Sequence, residues 1–420
     1  MTRRDLIAGA LGAGILWPDG LPGAPVAGDW PQFRGAQRDN ISRETGLARK
    51  WPDAGPKVLW SVPVAQGYAG AAIVGARVYH HDYDEAKSEW CVNCRNLADG
   101  KLRWQFREPR EIRPNHAITR TVPAVDSRFV FSLDPKAVLH CLDVKTGKQV
   151  WRKNLVTDFK ATIPSWYNGQ CPLLESGRIV VATGGAAILV ALDKATGKPI
   201  WQTPNPEGLM MSHASVMPAN LGGVKQYLYG TLKGPLGVRA ADGKLLWEYP
   251  RKFNVAVAPS PIAIDNERVF MTGSYDAGSV MLRVRNSGGA FKAEPIFDFT
   301  RNEWNSEVHT PIVYQGMLFA VGKKKRGLFT CLSPAGNEMW TTAGKVSFGL
   351  GSFILADGMF YVMDGDSGRL HLIEASTTGY HELASAQVLA DEEVWGPMAI
   401  SGGKLVVRDL TKMICLDVRG

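Results

Sequence analysis

The sequence predicts an all-β fold, an eight-bladed β-propeller of four-stranded antiparallel blades. Three observations predict it. The first is a recurring motif, Leu139-His-Cys-Leu-Asp-Val-Lys-Thr-Gly-Lys-Gln-Val-Trp151, with relatives at 92–104, 189–201, 237–247 and 328–340. Each copy reads as a short apolar strand, a turn ending in Gly, and a second strand finishing on Trp. The Gly suits a three-residue hairpin that needs a left-handed residue, and the Trp is large enough to pack one copy on the next. The second is spacing. Trp60 to Trp104 is 44 residues, followed by steps of 47, 50 and 46 to Trp247, and a double step of 93 to Trp340. A period in the forties made of four short strands is that of a propeller. The third is the pair of chain ends. Met413-Ile-Cys-Leu-Asp-Val-Arg-Gly420 is a third strand lacking a fourth, and Lys57-Val-Leu-Trp60 is a fourth lacking a third. Pairing the two closes the ring and removes exposed edges.

Taken in order, the chain opens on paired arginines, Arg3 and Arg4, and a Gly/Ala-rich apolar run over residues 6–17. Twelve residues fall short of the ~20 needed to span a bilayer, so residues 1–28 read as a twin-arginine export signal and linker. Residues 29–56 are polar and Gly-containing, and are expected to cross the ring as an extended arm pegged by Trp30 and Phe33. Residues 57–420 form the propeller. Its inner strands are expected to begin near Ala71, Val122, Cys171, Met217, Ser260, Thr310, Ser352 and Gly396, several of them with Pro. Trp60, Trp104, Trp151, Trp201, Trp247 and Trp340 are the structural anchors, while the outer strands near Ile296 and Ala386 lack the Trp.

These LDxxTGxxxW hairpins, the opening Trp30-Pro-Gln-Phe-Arg-Gly35 and the phrase Gly222-Gly-Val-Lys-Gln-Tyr227 resemble the pyrroloquinoline-quinone-like β-propeller repeat proteins, over roughly 30–418. That family includes quinone-dependent dehydrogenases and the propeller subunit of the outer-membrane β-barrel assembly machinery, so the resemblance implies a fold and leaves two functions open. The dehydrogenases carry a disulfide between adjacent cysteines against which the quinone stacks. No Cys-Cys pair exists here, and their calcium-binding carboxylate and amide set has no evident counterpart. Pyrroloquinoline quinone with calcium is therefore the alternative cofactor, with no cofactor as the main expectation.

The other chemistry is sparse. Cys94, Cys141, Cys331 and Cys415 share one position in third strands, where a small apolar residue packs the blade. Cys91 and Cys94 lie three apart on a strand and point to opposite faces, against a shared metal. Asp364-Gly-Asp-Ser-Gly368 reads as a hairpin turn rather than a calcium loop. No G-x-S-x-G, P-loop or H-E-x-x-H is present, so no catalytic or metal-ligating residue is assigned.

Connections from a fourth strand to the next blade are long, and must emerge on one face with the second-to-third strand turns. Functional residues collect on such loops. That face is expected to hold Arg107, Arg110, Arg113, His116, Trp166, Tyr167, His213, Trp304, His309 and the basic turn Lys323-Lys-Lys-Arg326. The ligand-binding funnel is assigned to Tyr68, Arg120, Asn168, Gln170, His213, Glu307, His309 and Trp395, with a positive mouth. The net charge of +8 favours an anionic envelope polymer, a small ligand or an envelope protein as partner over nucleic acid, for which no basic-aromatic motif exists. The reading is an exported, monomeric scaffold, periplasmic or secreted, without a transmembrane helix and without catalysis. Its rival is a quinoprotein oxidoreductase acting on an alcohol or sugar.

Overall fold

Eight four-stranded antiparallel sheets follow one another along the chain, at 71–109, 124–154, 173–204, 217–248, 262–299, 312–341, 353–387 and 399–417 completed by Lys57–Pro63. We number them blades 1 to 8. The computed structural model describes residues 28–420 apart from 114–115, 117, 276, 323–326 and 391–392. Most of the expected export signal, and the basic turn at 323–326, lie outside the described residues. The ring closes as expected: Lys57–Pro63 pairs antiparallel with Lys412–Asp417, from Lys57 opposite Asp417 to Pro63 opposite Lys412. The core runs between blades, and its largest apolar cluster spans blades 3 to 7.

The tryptophans act as latches to the following blade. Indole Nε1 donates to Leu97 O from Trp60 at 2.8 Å, to Val144 O from Trp104 at 3.2 Å, to Lys194 O from Trp151 at 3.1 Å and to Ala240 O from Trp201 at 3.2 Å. Trp340 does the same to Ser376 O at 3.0 Å. The turn Gly lies under the previous blade's indole. A Cβ on Gly147 would sit 2.5 Å from Trp104, and φ there is +71°. Both facts demand Gly. The connection itself is longer than the expected three residues: Val138–Asp143 and Gln149–Asn154 leave five between them. Asp143 organises that turn, its Oδ1 accepting from Lys145 N, Thr146 N and Thr146 Oγ1, while Gly147 N closes onto Asp143 O.

Three blades solve the latch differently. Trp247 bonds within its own blade, to Gln226 Oε1 at 2.8 Å, because blade 5 has a longer hairpin, Ser279–Ser287 and Ala290–Phe299. Blade 5 in turn covers Gly336 with the stacked Phe297 and Phe299 rings, 4.3 Å apart. Blade 7 offers only Ala386, and Gly55 of the arm fills the space, where a Cβ would meet Ala386 at 2.5 Å. Asp364 heads a hairpin turn as expected, accepting from Asp366 N and Ser367 Oγ.

Inner strands begin up to three residues later than expected in blades 2, 3, 5, 6, 7 and 8. The residues ahead of them include Pro123, Pro172, Pro261 and Pro311, which have no N–H to give a ladder. Their neighbours bond around the ring instead. Val122 N donates to Cys171 Sγ at 3.2 Å, Cys171 N to Ser215 Oγ at 2.9 Å, Ser215 N to Ser260 Oγ at 2.9 Å and Ser260 N to Thr310 Oγ1 at 2.7 Å. This circumferential belt ties blades 2 to 6 at the channel wall.

Below the belt the arm crosses the ring and plugs it. Trp30 bridges Ile73 of blade 1, and Val125 N of blade 2 donates to Pro31 O. The buried Arg38 guanidinium donates to Pro172 O at 2.8 Å and Cys171 O at 3.1 Å. The buried Arg34 guanidinium reaches the far side, to Thr310 O at 2.6 Å and Pro311 O at 2.8 Å. Ile41–Ser42 then adds a parallel fifth strand to blade 7. Burial lowers Arg34 to about 9 and Arg38 to about 10, but both remain cations at neutral pH. The Pro residues that end the ladders leave carbonyls for these two forks to satisfy.

Candidate functional site

The plug turns the channel into a blind funnel of about 360 Å³ that opens on the long-loop face. Its floor is Phe33 of the arm, backed by the Arg38 guanidinium 5.7 Å from the ring centroid. Cys171 and Ser215 of the belt ring the base. Every connection between successive blades contributes to the wall above, which explains why no continuous stretch of sequence spells the site.

Two flat aromatic pairs form the sides. Tyr68 stacks on Trp395 with centroids 5.0 Å apart and planes 17° apart. Trp166 stacks on Tyr275 at 5.6 Å and 11°, joining the loop ahead of blade 3 to a turn of blade 5. Arg120 connects the pairs: its guanidinium lies 6.0 Å from the Tyr68 centroid and donates to Trp166 O. Glu393 accepts from Tyr68 Oη. Glu307 is held in place by its loop, with Oε1 accepting Tyr275 N–H at 3.2 Å and its carbonyl accepting Ser274 Oγ–H at 2.5 Å.

Two histidines complete the wall. His309 donates Nε2–H to Leu350 O at 2.9 Å, which leaves Nδ1 as an acceptor. Burial is the main cause that lowers both His213 and His309 to about 4, so both imidazoles are neutral near pH 7. Burial also lowers Arg120, opposed by neighbouring tyrosines. Four lining residues other than Gly hold left-handed backbone: His116 at φ 61°, Trp166 at 64°, Tyr275 at 53° and Glu393 at 57°. Bulky side chains adopt that region only where surrounding contacts enforce it, and such residues gather at functional sites.

Six of the eight assigned funnel residues line the cavity together: Tyr68, Arg120, His213, Glu307, His309 and Trp395. Asn168 and Gln170 are a correction. Both are buried in the wall, where Gln170 exchanges two hydrogen bonds with the Ala182 backbone and Asn168 Nδ2 donates to Gln170 O. Trp304 is a second correction, because it is 1% exposed and packs on Phe270 in the core instead of standing on the face.

The basic turn of the expected positive mouth, 323–326, lies outside the described residues, and two of the described arginines assigned to the mouth are paired. Arg107 is matched by Glu89 at 2.7 Å and Asp84 at 3.0 Å, and Arg110 by Asp134 and Glu108. Among the described lining residues the carboxylates Glu307 and Glu393 accompany one guanidinium, Arg120. Sequence reasoning missed Phe33 as the floor, and missed Tyr275 and Glu393. The signals were faint: a lone aromatic in the Gly-flanked turn 273–278, and an acidic run, 391–393, ahead of Trp395.

The family model described as outer membrane protein assembly factor BamB matches residues 88–288 and 236–381. The outer membrane protein assembly factor BamB of Shewanella oneidensis is 25% identical over 293 residues, covering 66% of this chain and 72% of its own length. Among solved structures, the quinohemoprotein alcohol dehydrogenase of Comamonas testosteroni superposes with a TM-score of 0.67 at 13% identity, covering 94% of this chain and 81% of its own. A quinohemoprotein alcohol dehydrogenase of Pseudomonas putida gives 0.64 at 13% identity with the same coverage, 94% and 81%. At such identity these two likenesses describe the fold.

Proposed function

The chain belongs to the outer membrane protein assembly factor BamB family, and from that premise we propose that it is a non-catalytic binding scaffold of the cell envelope, engaging its target through the long-loop face and the funnel at its centre. The observation that carries this reading is the blind, aromatic-walled funnel, four of whose lining side chains stand on left-handed loop backbone. A pocket with apolar walls and a few fixed polar groups is built to bind. The relatives' description as assembly factors supports an envelope partner. Export through the N-terminal arginine-bearing segment belongs to the same proposal. Among the described residues no helix is long and apolar enough to cross a membrane.

The quinone alternative fits this wall poorly. Pyrroloquinoline quinone is a tricarboxylate, whereas the charged side chains of the described wall are the carboxylates Glu307 and Glu393 beside the single guanidinium Arg120. All six cysteines are free and buried, and Cys171, the one that lines the funnel, sits in the inter-blade belt. Among the described residues no three His, Cys, Asp or Glu side chains converge on a cation position.

Calorimetric titration with pyrroloquinoline quinone, with and without calcium, is expected to give no saturable heat. Saturable binding abolished by Arg120→Ala would instead put the dehydrogenase reading in its place.

A further inference from the structure

The funnel's chemistry narrows its ligand. The described wall carries both hydrogen-bond acceptors and donors. Glu393 can only accept while ionised, His309 Nδ1 accepts because Nε2–H is committed to Leu350 O, and Arg120 donates. A ligand that satisfies this set must both donate and accept. The walls are aromatic, with Tyr68 stacked on Trp395 and Trp166 on Tyr275, so a ligand with an apolar face suits them. A carboxylate or phosphate ligand has the acceptors but not the donors. A compact organic cation has the donors but no acceptor for Arg120. A volume of about 360 Å³ is at the small end of ligand pockets, which run roughly 300–1,000 Å³.

We propose that the funnel is a saccharide site, taking one or two neutral sugar rings whose C–H face lies on an aromatic ring of the wall and whose hydroxyls donate to Glu393 and His309 and accept from Arg120. No bond is made or broken in this step. The inference rests on the reading of the funnel as a binding site and adds the ligand class. Its source is either a free sugar or the exposed end of an envelope glycan, since both present the same ring.

Tryptophan fluorescence and calorimetry on the full chain decide the matter, with glucose, galactose, N-acetylglucosamine, maltose and a soluble oligosaccharide as probes. Glucuronate, choline and pyrroloquinoline quinone serve as charge and shape controls. The expected result is saturable binding of at least one neutral saccharide, weakened at least about tenfold by Trp395→Ala. Glu393→Gln, which keeps the shape and trades an acceptor for a donor, is expected to weaken it as well, with an unchanged melting temperature showing that the fold is intact. Binding of the oligosaccharide alone identifies a polymer end as the source, and binding of monosaccharides a free sugar. Saturation by choline or the quinone with none by any saccharide overturns the proposal, and so does silence from the whole panel. If saccharides fail while cross-links still form from the funnel rim, the ligand class is wrong and the scaffold stands.

Discussion

Arg38→Ala is expected to destabilise the propeller by about 3 kcal/mol or more, read as a lower denaturant midpoint at an unchanged slope. The side chain is 1% exposed and closes the inner ends of blade 3 through Pro172 O and Cys171 O. Alanine leaves both carbonyls buried with no donor, and each such group costs about 1–3 kcal/mol. It also leaves a void beneath Phe33, whose ring Arg38 backs. Arg34→Ala is expected to behave similarly, since its fork satisfies Thr310 O and Pro311 O on the opposite side. Arg38→Lys rescues little, because a single ammonium cannot reproduce the two-point geometry. A change below about 0.5 kcal/mol would mean that the arm rests on the ring without holding it.

Acid is expected to have the second large effect. Burial is the main cause that lowers His80 and His81 to about 3 and His213 and His309 to about 4, from an ordinary 6.5. The His80 hydrogen bonds require the neutral ring. His80 Nδ1–H donates to His81 O while Nε2 accepts from Arg95 Nε, and His81 Nδ1 meets Thr121 Oγ1 at 2.8 Å. Folded values below unfolded ones mean that the unfolded chain binds more protons. Stability is therefore full above about pH 6.5 and is lost as pH falls toward 4 and then 3. The loss is on the order of 3 kcal/mol per histidine by pH 4, at 1.36 kcal/mol for each unit of separation. Urea unfolding at pH 7.5, 6 and 4.5 measures it. A flat stability between pH 7 and 4.5 would contradict the buried neutral state.

The architecture was legible because its signals are local and repeated. Each Trp–Gly pair lies within one period, and the incomplete strands at the two ends announce their own partner. The funnel was half legible. Tyr68, Arg120, His213, Glu307, His309 and Trp395 all sit where long connections re-enter the ring, so counting strands was enough to gather them. Asn168 and Gln170 share that position, but strand alternation does not say which side chain folds back onto its own backbone, as Gln170 does on Ala182. Trp304 sits on a long loop too, yet Gly322 leaves it a slot in the core: a Cβ there would lie 2.6 Å from the indole. The arginines at the mouth were read one by one, whereas their carboxylate partners, Asp84 and Glu89 for Arg107 and Asp134 for Arg110, come from other strands. The belt through Cys171, Ser215, Ser260 and Thr310 was hidden because one position in four blades holds three residue types, all small and able to accept.

Site-specific photo-cross-linking in the native envelope tests the central claim most directly. A photoreactive residue at Tyr275 or His116 marks the funnel rim, and one at Lys145 or Lys198, in third-to-fourth strand turns, marks the opposite face. The account predicts a discrete cross-linked product from the rim positions, lost on adding Trp395→Ala, and none from the turns. Cross-linking of equal strength from both faces, or from the turns alone, would contradict it.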